Sequence, residues 1–540
     1  HGSNVAVGYR ALKVQDAGAE AYNVAIGKDA GLSVSTGILN IIVGGLAGDA
    51  LTIGNSNVAI GHQALSAEVA GDRSVAIGLN ALRSQTNAST IDVYNTAVGY
   101  EAGTSITTGD RNTLIGGLAA DSLTTGQYNV AIGYQALASE DVGNRAVGIG
   151  YQALYSQNNS TSTDTYNVAI GFHAGENVTT GVQNTIIGGL AGDEITPGNN
   201  NTGIGYGSLS AATTGAENTL IGALAGDAIT TGSLNTAVGY FALSTEDEHG
   251  ANVAIGNNSL KLLNANTNAF NTAVGYDSGK SVTTGVRNTI LGGSCAEALT
   301  TGEKNVLVGY AAGGAITVAD FNVAIGESSL ITNILSNKNT AIGKSALATH
   351  NLGSAGDGYN TALGYEAGKD ITTGVKNTII GAVAGNSGSN DLTTGENNIV
   401  IGFNAGASAV DVDNEITLGD ANISAFRCAD QSIAALSDGR DKSDIEESPY
   451  GLEFINKLKP VKFTWDFRPE HMAKTKQGKS RVGFIAQDLQ EAMPNNDNDI
   501  LDLVYEISEN RIEAKYGNLI PVMAKAIQEL SEEVKKLKNK

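Results

Sequence analysis

Proline is nearly absent from the larger part of this chain. Only Pro197 of its six prolines precedes residue 437, and its one tryptophan, Trp465, follows that point. Basic residues are short as well: 33 lysines and arginines stand against 55 aspartates and glutamates, a formal net charge of −22. The deficit is uneven. Residues 437–540 hold 17 basic and 19 acidic side chains, which leaves 16 basic and 36 acidic in residues 1–436, a net of −20 there. A surface so negative repels phosphates, which argues against nucleic acid or an anionic membrane as partner and favours the solubility of a long exposed rod. Two cysteines, Cys295 and Cys428, imply no disulfide framework and leave the redox compartment unread. No apolar run reaches the roughly 18–20 residues that cross a bilayer, and no signal peptide is evident. At 540 residues the chain exceeds what one compact core organises.

Glycine is what the chain has in excess, 69 residues, most of them before residue 437 and many of them periodic. The repeating unit is Asn–(Val/Thr)–x–(Ile/Val/Leu)–Gly, as in Asn23-Val24-Ala25-Ile26-Gly27, Asn112-Thr113-Leu114-Ile115-Gly116 and Asn377-Thr378-Ile379-Ile380-Gly381. Its closing glycine recurs 24 times from Gly8 to Gly419, most often 17 residues apart and otherwise 19 or 21. Extra residues in twos or fours keep every strand residue on its face, so they read as longer turns at one corner. Between units lies a second apolar piece, such as Gly133-Tyr134-Gln135-Ala136-Leu137, and often a Thr-Thr-Gly turn, as at Thr107-Thr108-Gly109.

A strand, a corner, an apolar piece and a turn per repeat predict a mostly β protein. Residues 4–420 should form a parallel β-solenoid of about 24 rungs, about 115 Å long at ~4.8 Å per rung. The Ile, Val or Leu before each closing glycine would stack into an apolar column and the asparagines into an amide ladder. Apolar residues are consecutive rather than alternating, so the strand is expected to be buried on both faces, one against the coil's interior and one against a neighbouring chain at a three-fold axis. The Asn-Val-Ala-Ile-Gly rungs resemble the head repeats of trimeric autotransporter adhesins. Over residues 4–420 that resemblance implies left-handed parallel β-rolls packed as a homotrimer.

After Gly419 the pattern stops, residues 420–436 read as a short connector with 421–436 as the link proper, and Ser437-Asp438-Gly439-Arg440-Asp441-Lys442-Ser443-Asp444-Ile445 follows. With Leu458-Lys459-Pro460-Val461-Lys462-Phe463-Thr464-Trp465 and Gly483-Phe484-Ile485-Ala486-Gln487-Asp488, it resembles the intramolecular chaperone domain of endosialidases and other phage tail spikes and fibres, the S74 peptidase family. The resemblance covers residues 437–540. It implies that Ser437 is a nucleophile, that Lys442 is its base partner, and that the chain is cut between Leu436 and Ser437. Asp438, Arg440 and Gln487 match further motif positions and are expected to hold local geometry. The chemistry is sound: a hydroxyl needs a neighbouring base, a lysine serves when burial lowers its pKa, and the scissile carbonyl is the nucleophile's own upstream neighbour. Asp441, beside Lys442, would favour the protonated lysine. At the end of the chain Met523, Ile527, Leu530, Val534 and Leu537 keep heptad spacing and predict a short coiled-coil helix over 517–540.

Other motifs read as structural. Asp49 and Asp193 in Gly-Gly-Leu-Ala-Gly-Asp units lack the alternation of calcium repeats and read as turn aspartates. No Gly-Lys-Ser/Thr follows the glycines at phosphate-loop spacing. His62, His173, His249, His350 and His471 are scattered, without ligand spacing, and read as exposed loop residues. Tyr100, Tyr134, Tyr151, Tyr206, Tyr240 and Tyr276 each follow a closing glycine; packing between rungs is favoured over a carbohydrate-binding strip.

The expected protein is therefore the distal part of a trimeric bacteriophage tail fibre. Its shaft is structural and receptor-binding, and its small α+β chaperone domain, 437–540, drives trimerisation and is released by self-cleavage. It would be made in the host cytoplasm, reside in the virion and bind a host surface receptor, glycan or protein. His1-Gly2-Ser3, without Met, reads as a cloning remnant, so contact with other virion tail proteins is expected upstream. At most it is a single-turnover serine peptidase acting on itself, with no cofactor, no metal, no nucleic acid and no membrane insertion. Two alternatives stay open. A cell-surface trimeric adhesin should end in a membrane-anchor barrel with alternating segments of about ten residues, whereas this chain ends in a Lys-rich helix. A glycan-degrading tail spike needs carboxylate pairs in a groove or an inserted domain, and the insertions here are two or four residues.

Overall fold

A computed structural model of the chain describes all residues except 1, 389, 424, 428–436, 467–476, 495–497 and 509–510. The chain divides into two compact units, 1–359 and 360–540. In the first, each repeat contributes a three-residue strand, from Val5–Val7 to Thr340–Ile342. Successive strands pair in parallel one repeat on, so that Val58 lies against Val75 and Ala59 against Ala76. The second unit opens with four such strands, Thr361–Leu363 to Ile416–Leu418, paired in the same way. Every one of the 24 repeats is thus a rung of parallel β-solenoid.

The closing glycine ends each strand for a steric reason. At Gly116 φ is 137°, and an added Cβ would lie 2.4 Å from the carbonyl oxygen of Gly133 one rung on. Only a residue without a side chain turns the backbone there while the rungs stack. Past the glycine the chain runs through linked turns in which non-glycine residues are left-handed, for example Gln63 and Leu65 at φ 57° and 55°. Each costs on the order of 1–2 kcal/mol. Hydrogen bonds between rungs offset that strain: Gln63 N–H donates to Gly45 O at 3.1 Å and Leu65 N–H to Ala81 O at 3.0 Å.

Four apolar columns line the interior. They are the middle strand residue (Ala59, Leu114), the residue three after the closing glycine (Ala64, Ala119), the one seven after it (Leu51, Leu123) and the one four after it (Leu65, Leu82), all fully buried. Size is traded between positions, Ile42 lying over Gly48. The asparagines form a ladder that runs mainly through the backbone. Asn112 Oδ1 accepts from Asn129 N–H at 2.9 Å, and its Nδ2 donates to Gly126 O at 2.9 Å. Direct amide–amide contact, as from Asn112 Nδ2 to Asn95 Oδ1 at 3.2 Å, is secondary.

Side chains alternate along a strand, so within one chain only the middle residue of three points inward. The Ile/Val/Leu column stacks in register, Ile60 on Ile77, on the outside, where Ile26 is 40% exposed. One expectation is corrected: not all histidines are exposed. His350 is fully buried in the third interior column, with Nε2 3.0 Å from Ser336 Oγ, and a single histidine gives no sign in sequence of which column it enters. His471 lies outside the described residues. Among the tyrosines, Tyr134 and Tyr151 stack at 5.7 Å and Tyr151 and Phe172 at 5.4 Å, half exposed.

Residues from Tyr450 onward form a small α+β arrangement. Helix α1 (Leu452–Ile455) precedes an antiparallel pair, Val461–Thr464 with Ser480–Gly483, then helix α2 (Ala486–Ala492). The short helix α3 (Asn498–Leu501), a hairpin of Val504–Ser508 with Arg511–Ala514, and helix α4 (Leu519–Lys538) complete it. Tyr450, Phe454, Leu489, Met493, Leu501, Leu503 and residues of α4 share one core. α4 starts at Leu519, after a tight turn over Tyr516–Asn518, with Pro521 in its first turn, where a missing N–H is harmless. Leu519, Val522 and Ala526 face the core, whereas Met523, Ile527, Leu530, Val534 and Leu537 are exposed. No helix among the described residues is long and apolar enough to cross a membrane.

Candidate functional site

Ser437 stands at the start of the segment that follows the undescribed residues, and Lys442 returns to it. Lys442 Nζ donates to Ser437 Oγ at 2.6 Å. The return is made by a 3-10 turn, Gly439–Asp441, which folds the five intervening peptide links into a loop. Asp438 caps that turn: its Oδ1 accepts from Arg440 N–H at 3.0 Å and from Arg440 Nε at 3.0 Å, while Oδ2 pairs with Arg440 Nη2. The guanidinium holds the Asp438 carboxyl below its usual range, and the carboxylate raises Arg440 in turn. Lys442 leaves the turn in extended conformation, φ −125° and ψ 137°, which carries its side chain back toward residue 437.

Asp438, Arg440, Ser437 and Lys442 thus lie together. Asp441 sits in the turn with its side chain exposed and forms no ion pair with Lys442 among the described residues. Gln487 is exposed on α2, and among the described residues no hydrogen bond joins it to Ser437 or Lys442. Leu436 lies outside the described residues. Sequence reasoning missed Tyr516, whose hydroxyl donates to Phe484 O at 3.0 Å and accepts from Phe484 N–H at 3.1 Å, clamping the Gly483-Phe484-Ile485 segment. Thirty-two residues separate the two, and no local pattern joins them.

Chemically the pair is a hydroxyl held by an amine. Both side chains are exposed in one chain. A lysine serves as a base where burial favours its neutral form. Among the described residues no group of three or more His, Cys, Asp or Glu side chains is placed to hold a metal ion.

Residues 437–498 match the family Peptidase S74, described as chaperone of endosialidase. No curated protein and no solved structure matched the chain.

Proposed function

We propose that the chain is the distal, receptor-binding part of a trimeric bacteriophage tail fibre whose C-terminal domain brings three chains into register and then cuts itself free. A long parallel β-solenoid followed by a chaperone-of-endosialidase region fits a tail-fibre or tail-spike type of protein. The observation that carries the finer reading is where the matched region begins: at Ser437, the residue that Lys442 holds at 2.6 Å.

In this reading Ser437 Oγ attacks the carbonyl carbon of Leu436, one bond upstream. An Oγ–C bond forms as the hydroxyl proton passes to neutral Lys442, and the C–N bond breaks with the Ser437 amine taking up a proton. Water then hydrolyses the ester, leaving the Leu436 carboxylate and restoring the hydroxyl. Assembly supplies the shielding that one chain lacks, which ties cleavage to a correctly formed trimer.

Two unpartnered apolar faces support the trimer: the outward Ile/Val/Leu column of the solenoid and the heptad face of α4. Parallel association of long β chains is slow and prone to misregister, and a C-terminal clamp lets the shaft close from one end. The host receptor, glycan or protein, would be met by the shaft.

Intact-mass spectrometry of fresh protein beside Ser437→Ala tests the reading. A wild-type fragment ending at Leu436, absent from the variant, is expected. Two uncut chains would overturn the peptidase role and leave a permanently attached trimerisation domain.

A further inference from the structure

Seven residues after each closing glycine lies a position buried in rung after rung; Leu51, Ile106, Leu123, Ile195 and Ile229 occupy it. Glu68, Glu140 and Glu246 stand at the same position, each with no exposed surface. A carboxylate there must find donors or give up its charge.

Two of the three find them. Glu68 Oε1 accepts from the N–H groups of Gly71 and Asn87 at 2.8 and 3.1 Å, and its Oε2 from Gln85 Nε2 and Asn87 Nδ2, both at 2.8 Å. Glu140 repeats the pattern with Gly143 N–H at 2.8 Å, Gln157 Nε2 at 2.8 Å and Asn159 Nδ2 at 3.2 Å. The two amides lie 17 and 19 residues beyond the glutamate in both cases. Beyond Glu246 those offsets hold Leu263 and Ala265, both buried. Glu246 has no such side-chain donor among the described residues and is left with long backbone bonds, from His249 N–H at 3.2 Å and Ala265 N–H at 3.3 Å, and a weaker contact with the backbone of Asp247.

We propose that the turn Ser244–Gly250 is a pH-responsive weak point of the solenoid: Glu246, buried like Glu68 and Glu140 but facing Leu263 and Ala265 where they have Gln and Asn, holds the turn closed while it carries a proton and releases it on ionising. Burial is the main cause and pushes the Glu246 carboxyl up to about 7; the N–H groups of Ala265 and His249 oppose the rise and the charge of Asp247 adds to it. Asp247, Glu248 and His249 are the other titratable groups on the turn. The stretches packed against it, 228–235 and 262–270, carry no charged residue, and Asp227 and Lys261 border them, Lys261 lying over the Phe241 ring. The closed-state value lies above the ordinary 4.5. The closing advantage is therefore complete below pH 4.5 and lost as pH rises through about 7.

Hydrogen exchange of the full chain, corrected for the chemical exchange rate, tests this across pH 5 to 8. Peptides over 239–256 are followed, with those over 61–78 and 133–150 as internal controls. The opening constant at the Glu246 turn should rise on the order of 50-fold from pH 5 to pH 8 and stay flat in the controls. Glu246→Gln should remove the rise. The pair Leu263→Gln with Ala265→Asn, which keeps the glutamate and installs the missing donors, should also flatten it. A profile that matches the controls in the wild type, or that persists in Glu246→Gln, would overturn the proposal; so would an undiminished rise in the double variant.

Discussion

A rung of the solenoid bonds to the rungs beside it, mostly 17 residues away, as Asn40 does to Asn57; in the C-terminal domain Leu452 N–H reaches Glu529 Oε2 across 77 residues at 2.6 Å. The solenoid closes its own backbone bonds at every corner and repeats one solution. The domain rests on a small core and leaves a helix face uncovered. Near-neighbour bonding lets a solenoid grow from any rung, but it carries no mark of which rung should meet which in another chain. A long-range, singular structure carries such a mark. The division of labour proposed above follows from that difference.

The sharpest way to break the comparison is to damage the uncovered face alone. Ile527→Asp with Leu530→Asp changes residues that α4 does not use for its own core, since Leu519, Val522 and Ala526 serve it. If three chains assemble as proposed, sedimentation velocity should show that species lost while the domain keeps its helix content. Persistent trimers would move the registering surface elsewhere.

Glycine substitutions sharpen it next. Gly116→Ala meets both a left-handed backbone and a carbonyl at 2.4 Å, and should cost more than about 3 kcal/mol. Gly517→Ala in the domain meets nothing within 4 Å and should stay within about 0.5 kcal/mol. Hydrogen exchange of the flanking strands and of α4 reads the two costs separately. Asn112→Ala comes third. It orphans Asn129 N–H and Gly126 O, both bonded at 2.9 Å, at about 2–4 kcal/mol. The same exchange measurement should show the loss spreading one rung in each direction and no further.

Much of the solenoid was legible because its grammar is local. The 24 closing glycines and the buried asparagines each recur at fixed offsets, and the structure puts them in register. Which residue of a strand points inward was not legible, because a three-residue strand such as Val58-Ala59-Ile60 looks uniformly apolar and a small alanine hides the alternation. His350 and the Glu246 environment needed the stacking partner 14 to 19 residues away, Ser336 or Ala265, before their burial had meaning. At the candidate site the Ser437-to-Lys442 spacing was visible in a short motif. The Tyr516 clamp was not, because its partner is distant in sequence.

The smallest predicted effect concerns a ladder that the sequence displays plainly once one knows where to look. The residue before the asparagine position, which Ser74 and Ala146 fill in two rungs, is left-handed, and over six consecutive rungs it is exposed and alternates: Arg73, Tyr94, Arg111, Tyr128, Arg145, Tyr166. Arg111 and Arg145 each lie 5.4 Å from the centre of the Tyr128 ring, one from either side. Arg145 also pairs with Asp164 and Arg111 with Asp110. Exposed ion pairs of this kind contribute little and fade with salt. A cation over a ring adds roughly 0.5–1 kcal/mol at an exposed site. Tyr128→Ala should therefore loosen the strands Thr113–Ile115 and Val147–Ile149 by about 1 kcal/mol in hydrogen exchange, with little change between low and moderate salt. Tyr128→Phe keeps the ring face and should cost almost nothing. If the phenylalanine variant costs as much as the alanine one, the hydroxyl and not the ring joins these rungs, and the alternation is a surface pattern without mechanical weight.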